Sequence, residues 1–191
     1  MKNIQSNVTL DAKGLACPMP IVRTKKAIKD LEAGQVLEVQ ATDKGSKADM
    51  QAWAESTGQQ YLGTIEEDGV LKHYIRKSSE EEHAAPAFPN VAENAQLEQK
   101  LKSGEPVVVL DVREAAEFAF KHIPNAVSMP LGELESRMGE LNPQDEIYVV
   151  CRTGSRSDMA AQKLAANGFE RVTNVVPGMS GWTGDTTSIN D

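Results

Sequence analysis

Cys151 is followed by Arg152, Thr153, Gly154, Ser155, Arg156 and Ser157. A thiol comes first, small polar residues and one glycine allow a tight turn, and two arginines bracket it. Ahead lies Glu146-Ile147-Tyr148-Val149-Val150, an apolar run of the kind that makes a buried strand. Behind lie Met159, Leu164 and Ala160, Ala161, Ala165 and Ala166, which read as a helix with Ser157 as its N-cap and Gly168 as its stop. A thiol between a strand end and a helix start faces main-chain N–H groups and the positive end of the helix dipole. That setting lowers its pKa and supplies thiolate at neutral pH. Arg152 and Arg156 add fixed positive charge for an anionic substrate. The expectation is a nucleophile at the base of an anion cradle, with Arg152, Thr153, Gly154, Ser155, Arg156 and Ser157 binding substrate. Outside such a loop, a cysteine ending a strand reads as a small, inert core residue.

Cys17 stands in Gly14-Leu15-Ala16-Cys17-Pro18-Met19-Pro20, ahead of Ile21, Val22, Ala27, Ile28 and Leu31 on a helical period. Proline is tolerated only in the first turn of a helix, so Pro18 and Pro20 fix the helix start and leave Cys17 at its positive end. That placement again predicts a thiolate. Arg23, Lys25, Lys26 and Lys29 fall on the polar side of this helix, as a solvated face or a dock for an acidic partner.

The elements that position the two cysteines alternate along the chain. Residues 1–76 predict a strand at 8–11, the Cys17 helix, a strand at 36–41, a helix at 47–56, and strands at 60–65 and 70–75. Asp68-Gly69 joins the last two as a hairpin. The order βαβαββ predicts a two-layer α/β sandwich, with Trp53 in its core and Asp43 as a turn residue. Residues 77–90 are rich in Glu, Ser, Ala and Pro and read as a flexible linker spanning roughly 20 Å, with His83 a solvated bystander. Residues 91–191 predict a helix at 91–102 and strands at 106–110, 126–129, 147–150 and 172–176 alternating with helices. That pattern makes a parallel sheet covered on both faces, a three-layer domain with ligand loops at the strand C-termini. Asp111 and Arg113 end another strand and read as a supporting ion pair. His122 reads as a turn-stabilising donor and Trp182 as packing.

Composition narrows the class. The chain has 191 residues, enough for two small domains, and 40% hydrophobic content. Residues 1–76 hold 10 basic and 10 acidic side chains, so the whole net charge of −8 falls beyond them. An acidic chain is a poor candidate for bulk nucleic-acid binding. No apolar run is long enough for a membrane span and the N-terminus lacks a leader's apolar core, so the expected compartment is the cytoplasm. Two cysteines there argue for reactive thiols over a structural disulfide, and neither has the neighbours a zinc site needs. No metal is expected.

The Cys151 loop also resembles an active-site loop of the rhodanese family. Leu110-Asp111-Val112-Arg113, Glu117-Phe118, His122-Ile123-Pro124-Asn125-Ala126 and Gly178-Met179-Ser180-Gly181-Trp182 agree with it, over Val91 to Gly184. Members commonly carry glycine where this chain has Lys121 and Asn125, both turn positions. Cysteine-dependent phosphatases space cysteine and arginine by one residue more, so phosphatase or arsenate reductase chemistry is disfavoured. Val8 to Arg76 resembles the TusA family of sulfur carriers, through Leu10-Asp11, Gly14-Leu15, Cys17-Pro18-Met19-Pro20, Asp43 and Trp53. The resemblances imply a sulfurtransferase in which Cys151 takes sulfane sulfur from thiosulfate or a small persulfide. Cys17 then carries it, with Pro18 and Pro20 in support, to a thiol acceptor or a downstream carrier protein. The intermediate is a covalent cysteine persulfide and no cofactor is required. Two other readings stand beside it: an adaptor loaded by a separate donor, and a redox switch pairing Cys17 with Cys151. The physiological donor, the direction of flow and any oligomerisation are left open.

Overall fold

A computed structural model of the chain describes residues 3–79, 82 and 85–191. The chain is mixed α/β and divides into two compact units, Met1–Ser79 and Glu80–Asp191. Among the described residues no helix is long and apolar enough to cross a membrane.

The first unit contains β1 (Val8–Asp11), α1 (Met19–Asp30), β2 (Val36–Ala41), α2 (Ser46–Ser56), β3 (Gln60–Glu67) and β4 (Val70–Arg76). Its sheet runs β1-β2-β4-β3, with β1 parallel to β2 and the other pairs antiparallel. Helix α1 starts as its prolines dictate, with Pro18 at the N-cap and Pro20 in the first turn. It buries Pro20, Thr24 and Ile28, one turn apart, so a single stripe faces the sheet. Ile28, Leu31, Leu37, Val39, Met50, Ala54 and Ile75 form the core, with Trp53 packed against it. Asp68 and Gly69 have φ of 52° and 76°, the left-handed pair that a two-residue hairpin turn requires.

The second unit contains β5 (Val91–Glu93), α3 (Asn94–Ser103), β6 (Val108–Asp111), α4 (Ala115–Phe120), β7 (Val127–Ser128), α5 (Leu134–Arg137), β8 (Ile147–Val150), α6 (Ser155–Ala166) and β9 (Val172–Val176). All strand pairs are parallel, in the order β5-β9-β8-β6-β7. Strand β8 is buried on both faces. Ile147 and Val149 join one apolar cluster with Leu110, Ala160, Ala161 and Leu164, while Tyr148 and Val150 join another with Leu97, Val109 and Trp182. Two apolar faces oblige helices to cover both.

Three local expectations are corrected. The segment at 91–102 opens with a strand, because Val91 to Glu93 pair with β9. The helix waits for a capping box at Glu93, whose amide donates to Gln96 Oε1 at 2.7 Å. Helix α6 is capped by Gly154 in a left-handed turn, φ 95°, and Ser157 lies within the helix. The stretch read as flexible linker is hydrogen-bonded at both ends. Lys77 N donates to Gln35 O at 2.9 Å, and the amides of Ala87 and Phe88 donate to Asp158 Oδ1 at 2.9 and 2.7 Å. His83 lies outside the described residues.

Candidate active site

Side chains alternate along β8, so Cys151 follows Ile147 and Val149 into the same cluster and is 1% exposed. Gly154 then reverses the chain. A β-carbon there would lie 2.8 Å from Val176 Cγ1, so both its φ and its neighbour demand glycine. The turn aims the Gly154 N–H at Cys151 Sγ, 3.1 Å away, a contact suited to negatively charged sulfur. Ser157 Oγ, in the first turn of α6, stands 3.3 Å from the same sulfur. Its hydroxyl donates to Asn174 Oδ1 at 2.6 Å, and Asn174 Nδ2 donates to Gly154 O at 3.2 Å. A hydroxyl has one hydrogen. With that hydrogen on Asn174, the Ser157 oxygen presents lone pairs to the thiol and can accept a hydrogen bond from it.

Asn174 closes this ring and is fully buried on β9. Sequence reasoning missed it. Its one signal is a polar residue inside the apolar run Val172–Val176. Asn94, also missed, clamps the segment behind the loop by bonding both the N–H and the carbonyl of Gly178. Met179 N and Ser180 N donate to the carbonyls of Cys151 and Arg152 at 2.8 and 2.9 Å. This approach is so close that a β-carbon on Gly178 would fall 2.3 Å from Cys151 O.

The other loop residues divide into two groups. Arg156 was expected to meet substrate, but it is 7% exposed and makes a bidentate pair with the buried Glu117 of α4, at 2.7 and 3.0 Å. Burial alone pulls its pKa down, and the Glu117 carboxylate overrides this and keeps it charged. Its geometry is that of a brace between two helices. Arg152 is a third exposed and pairs with Glu82 at 3.3 Å. Thr153 Oγ1 donates to the Glu82 carbonyl at 2.5 Å, and Ser155 is buried. Asp111 and Arg113 form a closed ion pair, with Arg113 Nη2 2.6 Å from Asp111 Oδ2 and donating also to Lys121 O at 2.7 Å. They tie the loop after β6 to the end of α4. His122 Nδ1 bonds Phe118 O at 2.7 Å, and its Nε2 bonds Thr187 Oγ1 at 2.8 Å, so both ring nitrogens serve the turn. Asn125 has φ of 63°, the left-handed geometry that glycine adopts most easily; Lys121 is extended, φ −162°.

Cys17 is exposed, at a shallow dimple lined by Pro20, Ile21, Asp43, Ser46, Asp49 and Met50. The surroundings oppose the expected lowering of this thiol's pKa. A hydrogen bond from the thiol to the Asp49 carboxylate, then desolvation, then the charges of Asp49 and Asp43 push the Cys17 thiol pKa up. Both carboxylates line the dimple with Cys17 and oppose the polarity of the helix start. Beneath the dimple, Ser46 Oγ meets His73 Nε2 at 2.9 Å, and Thr64 Oγ1 meets His73 Nδ1 at 2.9 Å. His73 is fully buried, and burial, aided by the Lys47 charge, brings its pKa to about 4.

Residues 8–77 match the family model described as Sulfurtransferase TusA, and residues 93–185 match that of the Rhodanese-like domain. The chain is 53% identical to YrkF of Bacillus subtilis (strain 168), named provisionally as a sulfur carrier protein, over 96% of this chain and 99% of that one. It is 36% identical over 96 residues to YtwF of the same strain, named provisionally as a sulfurtransferase, covering 50% of this chain and 92% of the relative. Among solved structures, the rhodanese-like domain of an Anabaena protein superposes with a TM-score of 0.50 at 27% identity, over 55% of this chain and 83% of that one.

Proposed function

Because the chain belongs to the sulfur carrier family in which a TusA domain is fused to a rhodanese-like domain, we propose that it relays sulfane sulfur from thiosulfate or a small persulfide through Cys151 to Cys17. Cys151 Sγ attacks the outer sulfur of the donor, and the donor's S–S bond breaks. Sulfite or a thiolate leaves with the bonding pair, and Cys151 becomes a persulfide. Cys151 attacks as the thiolate, its proton having passed to water, and the Gly154 N–H is placed to stabilise the charge on that sulfur, while Ser157 Oγ orients it. Cys17, giving up its thiol proton to water as it docks, then attacks the outer sulfur, the Cys151 S–S bond breaks, and the Cys151 thiolate is restored. Finally the Cys17 persulfide passes its sulfur to an acceptor thiol or a downstream carrier. Two thiols perform the cycle, with no metal or cofactor. It suits a compartment that keeps thiols reduced, such as the cytoplasm.

The ring of Gly154, Cys151, Ser157 and Asn174 carries this reading: a lone structural cysteine has no use for a donor and an acceptor aimed at its sulfur. Arg152, Thr153 and the loop amides are the substrate contacts that remain once Arg156 is committed to Glu117. Pro18 and Pro20 hold Cys17 at the helix start, while Asp111 and Arg113 hold the neighbouring loop.

Intact mass spectrometry after donor treatment tests the relay on wild type, Cys17→Ser and Cys151→Ser. Sulfur is expected on Cys17 only when Cys151 is present. Equal loading of Cys17 in Cys151→Ser would instead make the protein an adaptor with two independent ports.

A further inference from the structure

Glu82 lies in the stretch that composition marks as linker, outside the segment 93–185 that matches the rhodanese family, yet it is only 4% exposed. Its carboxylate Oε2 accepts from Arg152 Nη1 at 3.3 Å, and its carbonyl accepts from Thr153 Oγ1 at 2.5 Å. Both donors belong to the turn between Cys151 and Gly154. The Glu82 charge also reaches Arg156. Downstream, Asp158 in the first turn of α6 fixes the Ala87 and Phe88 amides, so the approach to Glu82 is anchored beside the same turn. Since Arg156 is matched by Glu117, each arginine of the cradle has its own carboxylate.

We propose that Glu82 is a specificity-determining residue of the Cys151 site. It is an internal carboxylate set against Arg152 and Thr153 that selects against the doubly charged donor thiosulfate and for donors of lower charge. The inference rests on Cys151 being the sulfur-accepting nucleophile. A sulfonate approaching Cys151 has Arg152 as its remaining cationic partner, and that partner is already engaged. The Thr153 bond to the Glu82 main chain keeps the carboxylate close even when the ion pair opens. A dianion therefore meets both a lost attraction and a like charge. In a partly desolvated loop such repulsion is several times stronger than in water. A persulfide with an uncharged tail meets neither penalty at that position.

The test uses the full chain carrying Cys17→Ser, with Glu82 native or changed to Gln or Asp. The first readout is the rate of Cys151 alkylation by iodoacetate relative to iodoacetamide, two reagents of similar size and different charge. The second is kcat and KM with thiosulfate, and with the persulfide of 2-mercaptoethanol, using cyanide as acceptor. Glu82→Gln is expected to raise the iodoacetate preference and lower the thiosulfate KM, each by roughly tenfold. The kcat and the KM of the uncharged-tail persulfide stay unchanged, and Glu82→Asp retains the native preference. An unchanged ratio and unchanged KM in a Glu82→Gln chain with native thermal stability overturn the proposal. An equal rise for both reagents also overturns it, since Glu82 would then only cover the sulfur. A shifted alkylation ratio with no turnover from either donor would sink the sulfurtransferase reading while the charge selection stands.

Discussion

Cys17 and Cys151 are the same side chain in opposite surroundings. Cys151 is buried at the end of a central strand, with an amide donor and a hydroxyl aimed at its sulfur. Cys17 is exposed at a helix start and faces carboxylates that push its thiol pKa up. In the proposed relay these differences divide the labour. The sulfur that breaks a donor's S–S bond needs preorganised polar contacts. The sulfur that travels to a partner needs access and gains from low reactivity toward stray electrophiles until it docks. Each cysteine also has a serine beneath it held by a buried partner: Ser157 by Asn174, and Ser46 by His73. One of those partners can titrate and the other cannot.

The largest effect should come from the ion pair that separates the cradle's two arginines. Glu117→Ala leaves the Arg156 guanidinium buried and unpaired, which costs about 3–5 kcal/mol. Trp182 reports on the second unit and Trp53 on the first, so denaturant melts of single-tryptophan chains can assign the loss. Only the Trp182 transition is expected to move. If it stays in place, Arg156 is not a brace and returns to the list of substrate contacts.

Much of this was legible in the sequence, and the failures share a cause. The strands other than β5, the α1 start and the Asp68-Gly69 hairpin followed from periodicity and local backbone limits, which need no knowledge of distant residues. Both cysteines stood out by their neighbours in the chain. Glu117 neutralising Arg156, Asp49 raising Cys17 and Asn174 holding Ser157 are all encounters between residues at least 17 positions apart. Loop composition promised two free cations because a sequence shows charges without their partners. Glu82 was hidden differently: linker-like composition masks a single residue that is pinned.

The titratable support under Cys17 supplies the next test. His73 is neutral in the folded chain, with its pKa lowered from 6.5 to about 4. Above pH 6.5 the folded and unfolded chains hold the same number of protons there, and the group contributes nothing to pH dependence. Between 6.5 and about 4 the unfolded chain takes up the proton first, so the first unit loses stability as pH falls, by on the order of 3 kcal/mol across the window. Denaturant midpoints read at Trp53 in a Trp182→Phe chain should fall over that range. In His73→Gln this component of the slope should vanish. The Asn174 ring has no such step, so its unit should lack a His73-like transition, and a matching one read at Trp182 would erase the distinction.

The smallest effect bears most directly on why the two thiols differ. Asp49 is the leading cause of the raised Cys17 pKa, through its hydrogen bond and then its charge, with Asp43 contributing less. Asp49→Asn removes the charge and preserves the shape. The thiol then ionises at lower pH, and because the thiolate is the reacting species, alkylation by iodoacetamide at neutral pH should accelerate several-fold. The whole rate profile should shift toward lower pH, whereas a merely opened surface would raise the plateau without moving its midpoint. Asp43→Asn should act in the same direction and more weakly. Cys151 in the same chain is the internal standard and should be unaffected. An unmoved Cys17 midpoint in Asp49→Asn would mean that these carboxylates do not hold the thiol protonated. Exposure alone would then distinguish Cys17 from Cys151.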